Sequence, residues 1–185
     1  MEKRITVKTL ELKMLSELVK NSRRSDRELS KAIGTSQPTA TRIRSKLEKE
    51  GYLNEYTAIP NFSRIGYTIL ALTFMKLNPK LTLAEFEDFR RRHQEAMSKR
   101  TFAILLAKRG MGLKFDAVII SLHQNYASYD EFRYYLQRSM SEYVEDLDTF
   151  LSNLEEKSNL PFTFSLLANQ IMSLTETEPE EAKSK

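Results

Sequence analysis

The sequence predicts an α+β protein in which an N-terminal helix-turn-helix domain precedes a ferredoxin-like βαββαβ domain. Three observations carry that expectation. Three short helical patterns separated by tight turns fill the first fifty residues, strand and helix patterns alternate after residue 66, and the basic charge is confined to the first part. Residues 1–64 hold 14 Lys and Arg against 8 Asp and Glu, a surplus of +6, whereas residues 65–185 hold 15 against 17, a balance of −2. An N-terminal polyanion-binding part joined to a part with a different role explains such asymmetry.

Apolar Leu10, Met14, Leu15 and Leu18 recur at helical spacing and predict a first helix over 7–21. Ser25-Asp26-Arg27-Glu28 is a capping box that opens a second helix, with Leu29, Ala32 and Ile33 on its inner face. Gly34 supplies a left-handed exit, Ser36 is the expected N-cap of a third helix over 37–50, and Pro38 falls in its first turn, where no amide hydrogen is needed. The third helix has a narrow apolar stripe of Ala40, Ile43 and Leu47. Pro38, Thr41, Arg42, Ser45 and Lys49 point away from it, Gln37, Thr39 and Lys46 flank it, and Arg44 borders the core side and snorkels. In a helix-turn-helix the N-terminal residues of the second helix meet base edges. The candidate DNA-binding residues are therefore Arg23, Arg24, Gln37, Thr39, Thr41, Arg42, Ser45 and Lys46. Asn54 to Ile59 alternate as a strand would, and residues 61–65 read as a linker. From spacing alone, a packed three-helix subdomain with a solvated basic face fits as well as a DNA reader.

The literal residues go further. Leu10 to Leu18, Ser25 to Ser36, Leu47 to Gly51 and Glu55 to Pro60 resemble, in order, the N-terminal domain of the Lrp/AsnC (leucine-responsive) transcription regulators. One departure is that Ile43, rather than Arg44, fills the apolar slot of the third helix. The resemblance covers roughly residues 8–154 and implies a regulator that occupies promoter DNA, double-stranded, as a homodimer or higher assembly.

In the second part, residues 66–77, 100–108 and 115–122 read as strands, and residues 82–98 as a helix opened by the box Thr82-Leu83-Ala84-Glu85. Gly110-Met111-Gly112 is the expected hairpin turn. A further helix starts at Ser128, boxed by Glu131, with Tyr129, Phe132, Leu136 and Met140 inward. Residues 147–154 read either as the closing strand or as a continuation of that helix. Phe162, Phe164, Leu166 and Leu167 suggest one more strand. The expected domains are thus 1–60, a linker 61–65, 66–171, and a disordered acidic tail over 172–185.

Both faces of the strands are apolar: Ile69, Ala71 and Met75 alternate with Leu70, Leu72 and Phe74, Ala103 and Leu105 with Phe102, Ile104 and Leu106, and Phe115, Ala117 and Ile119 with Val118 and Ile120. Helices of a split βαββαβ unit cover one face only. The other needs a second copy, as the resemblance implies, or the chain's own residues 161–167 folded back.

Enzyme chemistry finds few candidates. The chain has no Cys, and His93 and His123 stand thirty residues apart without metal-ligand spacing, so neither a metal nor another cofactor is expected. Gly110-x-Gly112 opens no helix and is a poor phosphate motif. The stretch RGMGLKFD does resemble the hairpin of the family's ligand-sensing domain, which makes Gly110, Met111, Gly112 and Asp116 the candidate effector-binding residues and an amino acid or related metabolite the implied effector. Two rival functions share the architecture: a sirohaem-decarboxylase-like enzyme, which needs a tetrapyrrole pocket and an available histidine, and an architectural DNA binder without effector. The longest apolar stretch, Tyr67 to Met75, is far short of the roughly 20 residues that cross a bilayer, and a cytoplasmic protein with no membrane partner is expected.

Overall fold

The computed structural model describes residues 8–80, 100–157 and 162–174, together with 82, 84, 85, 87, 88 and 91. These fall into two units: residues up to Ile59 with the C-terminal residues 162–174, and residues from Pro60 up to 157.

The first unit opens with α1 (Thr9–Lys20), α2 (Asp26–Ile33) and α3 (Gln37–Lys49). Local chemistry sets both ends of α2 and the start of α3 as expected, while α1 is shorter than the expected 7–21 and α3 ends one residue before Glu50. At α2, the Ser25 amide donates to Glu28 Oε2 (2.8 Å) while Ser25 Oγ accepts from the Glu28 amide (3.3 Å). Gly34 ends α2 at φ 73°, a conformation that disfavours any side chain bearing Cβ. Ser36 Oγ accepts from the Thr39 amide at the start of α3. Met14, Leu18, Leu29, Ile33, Ala40, Ile43 and Leu47 form one core, with Leu10, Leu15 and Leu53 at its rim. Residues 54–59 do not form the expected strand: their backbone finds no ladder partner among the described residues.

In the second unit a short 3-10 turn, Ser63–Ile65, leads to β1 (Ile69–Leu77), followed by β2 (Phe102–Gly112), β3 (Phe115–His123), α4 (Tyr126–Ser139) and β4 (Val144–Asn153). The sheet is antiparallel, in the order β2-β3-β1-β4. That is the strand order of a ferredoxin-like unit, and of the two readings of residues 147–154 the strand holds, beginning earlier at Val144 and ending at Asn153, one residue before Leu154. The expected helix over 82–98 lies largely outside the described residues. Its opening box is formed, with the Thr82 amide donating to Glu85 Oε2 (2.8 Å). Ala71, Met75, Leu77, Phe102, Ala117 and Ile119 pack on Tyr129, Phe132, Leu136 and Met140 of α4 and its C-terminal end.

Four local expectations are corrected. The helix after β3 starts at Tyr126, not Ser128, because Asn125 Oδ1 takes the Ser128 amide (3.0 Å); Ser128 Oγ instead donates to the Thr101 carbonyl (2.8 Å). Gly110-Met111-Gly112 is strand rather than turn, and the hairpin turns at Leu113 and Lys114, with φ of 51° and 68°. Two consecutive left-handed residues match the twist of a two-residue hairpin. The alternation of β2 breaks at a bulge between Ile104 and Leu106, so Leu106 does not share a face with Phe102 and Ile104; it stands opposite Ile120.

The fourth correction concerns the C-terminal segment. Phe162, Phe164, Leu166 and Leu167 form no strand. The chain bends and forms α5 (Leu167–Ser173), which belongs to the first unit. The boundary expected at residue 171 therefore misplaces the segment 162–171, and Met172 and Ser173 are helix rather than tail. Residues 175–185 lie outside the described residues.

Candidate nucleic-acid interface

The rotation of α3 is decided by its burial. Ala40, Ile43 and Leu47 are at most 7% exposed, which turns Gln37, Pro38, Thr41, Arg42, Ser45 and Lys49 to the surface. Ile43 therefore fills the apolar slot, and Arg44 is released to pair with charge. Its guanidinium lies 2.9 Å from Asp26 Oδ1, an ion pair by distance without hydrogen-bond alignment, and 3.8 Å from Glu48. Thr41 Oγ1 donates to the other Asp26 oxygen (2.7 Å). Asp26, at the first residue of α2, thus clamps α3 to the helix before it. Sequence reasoning missed this residue beyond its place in the capping box.

The candidate residues separate into committed and uncommitted groups. Lys46 Nζ sits 2.7 Å from Glu11 Oε1. Burial of Glu11 pushes its pKa up, but the Lys46 bond, the Lys8 amide bond and the two lysine charges outweigh it and hold the carboxyl below its usual range. Arg24 pairs with Glu17 of α1. Thr39 Oγ1 shares a hydrogen bond with Ser36 Oγ (2.9 Å), and Thr41 is held as above. Gln37, Arg42 and Ser45 are exposed on one face of α3, and Arg23 is exposed on the turn before α2. No ion pair engages the Arg23 or Arg42 side chain among the described residues. The structure thus brings three side chains together on the open face of α3 and draws Lys46 and Arg24 back toward α1.

Beside this face, Tyr56 Oη donates to Glu48 Oε1 (2.6 Å), and burial followed by that bond pushes the phenol up to about 12. The bond pins residues 54–59 back on α3 without a strand.

A family model of winged helix-turn-helix DNA-binding domains matches residues 8–54. A leucine-responsive regulatory protein of Rhizobium meliloti (strain 1021) is 32% identical over 74 residues, 40% of this chain and 47% of that protein. An HTH-type transcriptional regulator of Pyrococcus furiosus is 27% identical over 86 residues, 46% of this chain and 57% of that protein. The chain spans about half the length of these curated relatives. Among solved structures, a Neisseria meningitidis transcriptional regulator in complex with L-Met superposes with TM-score 0.68 at 20% identity, over 90% of this chain and 99% of that one. B. subtilis LrpC gives 0.63 at 20%, over 84% and 100%, and E. coli AsnC 0.60 at 15%, over 86% and 99%. The fold is that of the Lrp/AsnC regulators.

Against that Lrp/AsnC fold, the effector candidates occupy the β2–β3 hairpin. Met111 is 96% exposed, and Gly110 and Gly112 lie beside it in the strand. Asp116 is held structurally. It accepts from the Leu77 amide (3.1 Å) and pairs with Lys76 (3.0 Å), bonds that lower its pKa and tie the hairpin to the end of β1. None of the four residues lines the cleft of about 280 Å³ between α4 and strands β1 and β4, where the Thr73 and Thr149 hydroxyls meet at 3.1 Å.

His123, on which the enzyme alternative relies, is fully buried at the end of β3. It is walled by Phe102, Tyr129 and Phe132 and bonded through Nε2 to Ser121 Oγ (2.8 Å). His93 lies outside the described residues. Among the described residues no three His, Asp or Glu side chains converge as metal ligands, and no helix is long and apolar enough to cross a membrane.

Proposed function

We propose that this chain is a cytoplasmic transcription regulator that binds promoter DNA as a homodimer, with Gln37, Arg42 and Ser45 facing bases and Arg23 on phosphate. One observation carries the reading. An outward polar and basic face stands on α3 while the rest of that helix is locked by its core stripe, by Asp26 and by Glu11. A recognition helix needs both properties, since bases are read only by side chains whose backbone does not shift.

Dimerisation rests on the outer face of the sheet. Leu106, Ile120, Leu72 and Phe150 are cross-strand neighbours in register, forming one apolar row across all four strands, and Leu106 and Phe150 are 44% and 64% exposed. A second copy supplies the matching row and sets two recognition helices on two half-sites.

Selection of sites from a pool of random duplexes, followed by a salt titration, tests the DNA assignment. Selected sites should be pseudo-palindromic, with half-sites about one helical turn, or a multiple of it, apart. Arg42→Ala should cost about 1–3 kcal/mol on the selected site and relax its preference. Arg23→Ala should weaken all sequences alike, whereas Lys46→Ala, which strands the Glu11 carboxylate, should lower the melting temperature. Equal losses on selected and random DNA for Arg42→Ala remove its role in base reading.

The effector is, on this reading, an amino acid or related metabolite that engages the Gly110, Met111, Gly112 and Asp116 hairpin. Thermal shift against an amino-acid panel should then find a stabilising ligand. Met111→Asp should abolish that shift without touching the Asp116 bonds, and a panel without any shift leaves the hairpin purely structural.

A further inference from the structure

Helix α1 is buried on two sides, and the helix-turn-helix core accounts for one. Met14 and Leu18 belong to that core. Leu12 and Ser16 do not, yet they are 5% and 1% exposed. Ser16 Oγ donates to the Ala168 carbonyl (3.0 Å), and Ala168 itself is fully buried. Helix α5 therefore seats against this second side of α1, through small residues that let the two backbones approach. The docked helix lies more than a hundred residues beyond the matched helix-turn-helix segment, 8–54.

The route of the chain gives this docking a consequence. The connection from the first unit enters the sheet at Thr68, and the connection back leaves it at Leu154, whose amide donates to the Thr68 carbonyl (2.8 Å). Both connections are thus anchored at one neighbouring pair of backbone groups. A DNA-binding head on one linker swings freely about it, whereas a head returned by a second stretch of chain has fewer orientations open to it.

We propose that residues 162–174 are a strap, the fourth helix of the DNA-binding unit and its second tether to the sheet, and that this tether restricts the head before DNA is met. The DNA part rests on the proposed function; the docking does not. Fewer head orientations in the free dimer leave less entropy to lose on binding two half-sites, so the strap raises affinity.

Because the chain has no Cys, the Ser16→Cys/Ala168→Cys double variant carries two thiols only. Mild oxidation of the full-length protein should join them within one chain, seen as a faster band at monomer mass on a non-reducing denaturing gel. No disulfide, or a band at dimer mass, overturns a strap made by the same chain. Ala168→Arg in the full chain should expel α5 and lower affinity for selected duplex by about tenfold or more, while sedimentation still reports the wild-type assembly. If Ala168→Arg unfolds the protein, Ala168→Gly/Ile171→Gly, which loosens α5 without adding charge, takes its place. Wild-type affinity in a folded variant whose α5 has been released, as shown by new protease cleavage within residues 155–170, overturns the tether. Failure of the wild-type chain to bind any duplex refutes the proposed function, while the disulfide result still judges the docking.

Discussion

Leu72→Lys is expected to turn the dimer into a folded monomer and to lower affinity for a two-half-site duplex by roughly 10²–10⁴-fold, the loss that follows when two linked binding events become one. Leu72 stands in the middle of the outer row, flanked in register by Ile120 and Phe150. At about 25 cal/mol per Å² of apolar surface, covering four such side chains on each copy contributes several kcal/mol, and a lysine charge placed among them opposes all of it. Ile119→Lys, one residue from Ile120 along β3, is the contrasting variant. Ile119 points inward, is 4% exposed and packs in the core under α4, so its replacement should unfold the second unit rather than merely separate two copies. Sedimentation at micromolar concentration with far-ultraviolet circular dichroism distinguishes the outcomes. A monomeric wild type, or a Leu72→Lys variant that remains dimeric, removes the outer face as the interface.

The pair also shows how much of the fold is legible in the amino-acid order. The alternation in β1 and β3 identifies two apolar faces correctly, because period two is a property of the strand itself. It fails in β2, where the bulge next to Leu105 exchanges the faces and nothing in the residue types announces it. Likewise, Ser25, Glu28, Gly34 and Ser36 mark the helix-turn-helix boundaries, since caps act within three or four residues. The commitments of Lys46 to Glu11 and of Thr41 to Asp26 span 35 and 15 positions, and only packing brings those partners together. Gly110-Met111-Gly112 misleads for a different reason: glycine permits a turn but does not compel one, and Leu113 and Lys114 accept the left-handed conformation instead. Helix α5 is illegible because its seven residues are held by the far side of α1. There Ser16 looks like an ordinary boundary position until the Ala168 carbonyl accepts from its hydroxyl.

The second large effect is one of pH. Burial lowers the pKa of His123 from 6.5 to about 4, outweighing a backbone contact with Ser128 that raises it, because its aromatic surroundings offer a charged imidazolium little solvation. The unfolded chain therefore binds a proton near pH 6.5 that the folded chain refuses until about pH 4. Stability from this site is complete above pH 6.5, falls as the pH drops from 6.5 to 4, and changes no further below that. A shift of this size corresponds to about 3 kcal/mol, a large fraction of the stability of an ordinary domain. Carboxylates with lowered pKa values, such as Glu11, Glu17 and Glu131, lose their contribution in the same direction but only below about pH 4.5, so the interval between pH 6.5 and 4.5 isolates the histidine. Urea unfolding of the second unit, followed by tyrosine fluorescence from about pH 7.5 to 4.5, should show the decline. His123→Phe keeps an aromatic ring against Phe102, Tyr129 and Phe132 and forgoes the Ser121 bond and the Ser128 backbone contact. It should flatten the profile in that interval while costing about 1–3 kcal/mol at neutral pH, because the buried Ser121 hydroxyl loses its partner. A wild-type profile already flat between pH 6.5 and 4.5 refutes the buried neutral state of His123. A decline that persists in His123→Phe places the titrating group elsewhere.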